Sequence, residues 1–237
     1  KEGYFGGEDI IDIILEQKQC ARFICTKMYQ YFVNDTIDSE RVEELTNVFY
    51  QHYKISEVMR HIMLSDWFYS EENIGVKIKS PIEFLIGIHR TVPMHFEVKK
   101  ELLYLQRLLG QLLLFPPNVA GWAGGRSWID ANTMMLRLKL PSVLLNNGEI
   151  SLDEKGAFED NFERFDRKNN RARKLHVNPD WTKIEEELNR LSDQEIQNNI
   201  ITAPINIGTK KYLDSLDKTD KRVYCIQLMS LPEYQLC

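Results

Sequence analysis

Apolar residues recur at spacings of three and four along most of this chain, and that recurrence predicts a run of amphipathic helices. Ile10, Ile11, Ile13, Ile14 and Leu15 begin one apolar face, and Phe23, Ile24, Met28, Tyr31 and Phe32 form a second that ends near Asn34 and Asp35. Val42, Leu45, Val48 and Phe49 follow Asp38 and Ser39, while Ile55, Val58, Met59, Ile62 and Met63 follow Lys54. The firmest start signal is Ser80-Pro81-Ile82-Glu83: a serine that caps, a proline at the first helical position and a glutamate that reaches back. It predicts a helix from Pro81 to about Val92. Leu102, Leu103, Leu105, Leu108 and Leu109 predict another from Phe96 to Leu109. Met134, Met135, Leu138 and Leu140 predict one that begins at Asn132 or Thr133 and is stopped by Pro141. Trp181, Ile184, Leu188 and Leu191 mark a further amphipathic helix, and Ser192 to Glu195 has capping-box spacing, as does Ser151 to Glu154. Strand signal is slight, because the β-rich piece from Ile200 to Ile207 is broken by Pro204. The predicted fold class is all-α, an irregular multi-helical array.

One long stretch interrupts the helical pattern. From Gly110 to Ile129 the chain reads GQLLLFPPNVAGWAGGRSWI. Pro116 and Pro117 lack backbone donors and push their predecessors toward extended geometry, while Gly121, Gly124 and Gly125 permit positive φ. A shaped Gly/Pro/Trp-rich loop between helices follows, and loops of this length are kept mostly where they pack or bind something.

With 237 residues and 43% hydrophobic content, the chain has enough apolar surface for a substantial core, in one domain or two. Asn146-Asn147-Gly148 is the best turn signal after the loop, and downstream composition becomes more polar. The expected division is therefore a helical core domain over residues 1–146 and a more polar helical region over 147–237 packed on it. Helix ends at Ile62 to Tyr69 and at Leu228 to Tyr234 look alike, which two similar helix terminations explain without a repeat.

Charge narrows the partners. A net charge of −5 gives no case for a nucleic-acid binder, whose surface has to neutralise phosphates. The basic cluster Arg164, Arg167, Lys168, Arg171, Arg173 and Lys174 follows an acidic run and reads as a self-compensating surface or as an anion patch. No apolar run is long enough for a transmembrane segment. Cys20, Cys25, Cys225 and Cys237 have no metal-ligand spacing, and Cys20 and Cys25 point different ways on a helix, so buried thiols are the favoured reading.

Candidate chemistry is sparse. His52, His61, His89, His95 and His176 include no metal-binding pair, no nucleophile elbow is present, and Gly121 to Ser127 lacks a phosphate-binding lysine. No metal and no cofactor is expected. The loop does offer two aromatic faces, Trp122 and Trp128, backbone donors at Gly124 and Gly125, and a forked cation, Arg126, suited to a carboxylate, sulfate or phosphate. A glycan, an anionic small molecule or a protein are the partners such a surface suits. Two readings stay open: a ligand site, or a packing corner in which the tryptophans fill a gap and Arg126 pairs with Glu83 or Asp130. Glu83 and Arg90, seven residues apart on one helix face, form a second constellation. There Glu83 is the candidate catalytic acid or base of a hydrolase or transferase, against a plain role as cap partner, and Arg90 is an added binding residue.

Several of these pieces together resemble a bacterial family, the domain of unknown function 1800 family. Gly3-Tyr4-Phe5-Gly6-Gly7-Glu8-Asp9-Ile10-Ile11 and Ala21-Arg22-Phe23-Ile24 resemble the start of its C-terminal half. Lys79-Ser80-Pro81-Ile82-Glu83, Gly110-Gln111, Phe115-Pro116-Pro117, Gly121-Trp122, Gly124-Gly125 and Trp128 match its central signatures, and Ser230-Leu231-Pro232-Glu233-Tyr234-Gln235-Leu236 is similar to its closing motif. Leu109 and Leu231 depart from the usual pattern. The resemblance implies a mostly helical protein without an established activity, exported to the periplasm or cell surface. It also implies an N-terminal half that this chain lacks, which would be a partner or make this chain a purely structural half of a larger assembly.

Overall fold

The structure is a computed structural model and describes residues 2–146 and 175–237. The expected boundary at residues 146–148, the Ser151 to Glu154 pattern and the basic cluster from Arg164 to Lys174 fall wholly or partly outside them. The fold is all-α, with eleven α-helices and two three-residue strands among the described residues. It divides into two compact units, Lys1–Lys77 and Ile78–Cys237.

The first unit holds α1 (Gly7–Leu15), α2 (Lys18–Phe32), α3 (Ser39–His52) and α4 (Ile55–Leu64). Ala21, Cys25, Met28 and Tyr29 of α2 pack with Val42, Leu45 and Phe49 of α3 and with Val58 and Ile62 of α4. Asp38 caps α3 by accepting from the N–H groups of Glu40 and Arg41, which fixes where that apolar face begins. Cys25 is fully buried, and desolvation pushes its thiol up to about 11 against a hydrogen bond with Thr46. A short 3-10 turn, Asp66–Tyr69, follows α4.

The second unit holds α5 (Pro81–Thr91), β1 (Met94–Phe96), α6 (Lys99–Leu108), α7 (Ala131–Leu145), β2 (Val177–Pro179), α8 (Thr182–Arg190), α9 (Asp193–Ile200), α10 (Ile207–Ser215) and α11 (Lys221–Met229). Its core gathers Phe84 and Ile88 of α5, Leu105 of α6, Leu140 and Leu144 of α7, Ile196 of α9, and Tyr224 and Leu228 of α11. The two expected capping boxes that lie within the described residues are formed: Ser80 with Glu83 at the start of α5, and Ser192 with Glu195 at the start of α9. The likeness between Ile62 to Tyr69 and Leu228 to Tyr234 is one of local shape, since α11 is also followed by a 3-10 turn, Pro232–Gln235.

Two expectations change. Phe96 is not helical: it pairs with Val177 in the antiparallel β1–β2 ribbon, so α6 begins only at Lys99. Pro141 does not stop α7, which continues to Leu145. An internal proline costs about 3 kcal/mol, and burying Leu144 and Leu145 offsets it at about 1.5–3 kcal/mol each. As the break at Pro204 implies, residues Ile201 to Asn206 form no strand. No helix among the described residues is long and apolar enough to cross a membrane.

Candidate functional site

The family-like segments of the second unit meet at its C-terminal strap. Ile78 pairs with Leu236 in an antiparallel bridge, and the Lys79 N–H donates to the Gln235 carbonyl at 2.8 Å. The Lys79 ammonium donates to the Tyr234 carbonyl at 2.7 Å and lies 3.9 Å from the centre of the Tyr234 ring. Burial holds the Lys79 pKa below the ordinary lysine value. Tyr234 in turn stacks edge-on against Phe84 with ring centres 6.0 Å apart, and burial pushes its hydroxyl up to about 12. A Cβ on Gly87 would sit 3.2 Å from that hydroxyl, so the helix is smooth where the ring passes.

Arg137 on α7 anchors the same strap from inside the core. It is fully buried, with Nη1 donating to the Lys79 carbonyl at 3.0 Å and to Gln235 Oε1 at 3.3 Å, and its guanidinium lies 5.3 Å from the Phe84 ring centre. Its Nε and Nη2 have no hydrogen-bond partner, and no carboxylate forms an ion pair with it among the described residues. Desolvation lowers its pKa to about 10. A buried cation without a counter-charge costs several kcal/mol. Two neighbours carry similar unfilled capacity: Glu233 Oε2 and Gln235 Nε2 are buried without partners, while Glu233 Oε1 accepts from Asn206 Nδ2 at 2.7 Å.

Over this buried polar layer opens a cleft of about 540 Å³. Ile78, the loop end Arg126 and Ile129, Met134 of α7, Pro204 and Asn206, and Pro232, Glu233, Gln235 and Leu236 line it. The volume falls in the range of small-molecule sites. Most of the lining is apolar, and its exposed cation is Arg126.

Local geometry explains why Arg126 is presented there. Gly124 and Gly125 have φ of 75° and 53°, the left-handed region that L side chains avoid, and they start the 3-10 turn Gly125–Trp128. Asp130 then accepts from the N–H groups of Asn132 and Thr133, which hold its carboxyl below the usual range, and starts α7. Arg126 has no hydrogen-bond or ion-pair partner among the described residues and pairs with neither Glu83 nor Asp130.

The other expected site residues are placed differently. Trp128 is buried at 8% exposure, and its carbonyl accepts from the Thr133 hydroxyl, so it packs the corner where the loop meets α7. Trp122 is half-buried, and neither ring is part of the cleft lining. The front of the loop, from Leu113 to Phe115, is exposed and also lies outside the lining. Glu83 accepts the Ser80 N–H at 2.7 Å as cap partner, and Arg90 sits at the exposed last turn of α5. Neither lines the cleft.

Glu233, Gln235 and Arg137 were not singled out as chemistry by spacing. A signal for Arg137 was present: a lone arginine three residues from Met134 and from Leu140, on the face that packs inward. Glu233 and Gln235 carried none beyond their place in the closing motif.

A family model described as a protein of unknown function (DUF1800) matches residues 1–236. No curated protein and no solved structure matches the chain.

Proposed function

We propose, for a chain that belongs to the DUF1800 family and takes no activity from its description, that the protein is a binding module whose site is the cleft between the loop end at Arg126 and the strap Pro232–Leu236. The observation that carries the reading is an exposed guanidinium at the lip of an apolar cleft, without a partner among the described residues. Its floor retains unfilled hydrogen-bonding capacity on Glu233 and Gln235. Stability alone does not favour that arrangement, since each unfilled buried polar group costs about 1–3 kcal/mol. Sites that bind ligands keep such groups in place before the ligand arrives. The site then lies not at the two tryptophan faces but at the far end of the same loop, and an anionic small molecule suits it better than a glycan, for which the described lining residues offer no aromatic platform. The export implied by the family pattern belongs to this proposal, with the periplasm or cell surface as the setting; cell fractionation with an antibody to the chain checks it.

The test is a panel of small anionic and neutral compounds screened by shift in melting temperature. A ligand present at one hundred times its Kd stabilises the folded state by about 2.7 kcal/mol. Wild type and Trp122→Ala are expected to show the same shifts, and Ile129→Trp, which fills the cleft, is expected to show none. Shifts that persist in Ile129→Trp but vanish in Trp122→Ala would return the site to the tryptophan surface.

A further inference from the structure

Resting on that reading of the cleft, we infer its ligand class: an organic monocarboxylate with an apolar body. Four features of the lining select it. Arg126 supplies one cation, and its planar fork matches the two oxygens of a carboxylate, a geometry a lysine does not offer. Glu233 sits on the floor with its Oε1 accepting from the Asn206 amide at 2.7 Å. A second negative group on the ligand faces the Glu233 oxygens there, with no second cation among the described lining residues to offset it. Asn206 does not present a free amide to a polyol, because its Oδ1 accepts the Thr209 N–H at 3.0 Å and its Nδ2 is given to Glu233 and Thr209. Apart from Gln235 on the floor, the remaining walls, Ile78, Ile129, Met134, Pro204, Pro232 and Leu236, are apolar and reward burial of hydrocarbon. Such an acid is either a free aliphatic acid or the carboxyl end of a peptide with an apolar last side chain.

Calorimetric titration of the whole chain with octanoate, octanamide, N-acetyl-leucine, N-acetyl-leucinamide and inorganic phosphate tests the assignment. Each acid is expected to bind about tenfold or more tightly than its own amide, the mark of a charge-assisted contact. Arg126→Gln is expected to erase that preference and Arg126→Lys to restore only part of it, with unchanged melting temperatures showing that both variants fold. Tighter binding of octanoate assigns the free acid as source, and tighter binding of N-acetyl-leucine assigns the peptide end. Amides that bind as well as the acids, or phosphate that matches them, with Ile129→Trp still abolishing binding, would overturn the ligand class and leave the cleft reading in place. Binding of no probe, or binding unchanged in Arg126→Gln and Ile129→Trp alike, would overturn both.

Discussion

The two compact units bury different things. In the first, Leu45, Phe49, Val58 and Ile62 fill the interior, and the one fully buried polar side chain among the described residues, Thr46, spends its hydroxyl on the Val42 carbonyl at 2.6 Å. Trp67 Nε1 is its unfilled buried donor. The second unit has the larger apolar core and still carries Arg137, Glu233 and Gln235 inside, with four unfilled polar atoms on those three side chains. A helical core needs none of them. The first unit shows what packing alone selects in this chain, and the second shows a departure from it concentrated beneath one cleft.

The largest expected effect tests the dry unit. Leu45→Ala removes a fully buried side chain and is expected to lower unfolding free energy by about 2–5 kcal/mol. Arg137→Met keeps volume while discarding the desolvated charge, and is expected to cost under about 2 kcal/mol, because apolar replacements of buried charges are often neutral or better. Both are read by urea unfolding. Equal losses would make Arg137 a structural keystone and end the contrast between the units.

Asp130→Ala is expected to cost about 1 kcal/mol by uncapping α7, the helix that carries Arg137. Because the Asp130 pKa is lowered in the folded state, its contribution is present in full above the unfolded value of about 3.9 and is lost as pH falls through the lower folded value. Wild type and Asp130→Ala melting temperatures should therefore differ at pH 7 and draw together in that acid window. A constant gap down to pH 2 would deny the carboxylate its capping role. The smallest effect belongs to the cleft: Arg126→Gln is expected to move unfolding free energy by less than about 0.5 kcal/mol, since the side chain has no partner to lose. A larger loss in thermal unfolding would place Arg126 in the packing of the loop.

Local chemistry was legible wherever a few neighbouring residues settle the structure. Ser80 and Glu83 close their capping box as written, because both partners lie within four residues. Expectations failed where distant residues decide: Pro141 remains helical because Leu144 and Leu145 beyond it are buried in a core that also draws on Leu175, Ile196 and Tyr224, and Phe96 leaves α6 because Val177 lies eighty-one positions on. The site shows the same divide. The loop was identifiable from its glycines and prolines, and Arg126 from its place among them, but which face opens onto a cleft depends on a strap more than one hundred residues later. Two tryptophans in a glycine-rich loop look alike in sequence; the hydroxyl of Thr133 and the start of α7 make one of them interior.

The pairing of Ile78 with Leu236 also fixes an order of events during synthesis. A chain made from its N-terminus has all its described helices before residues 231–236 leave the ribosome. Those residues supply four of the ten that line the cleft, and they provide Gln235 to Arg137. Chains cut just short of the strap can form these helices yet lack four of the ten lining residues, so the cleft is closed only after every helix that surrounds it has been made.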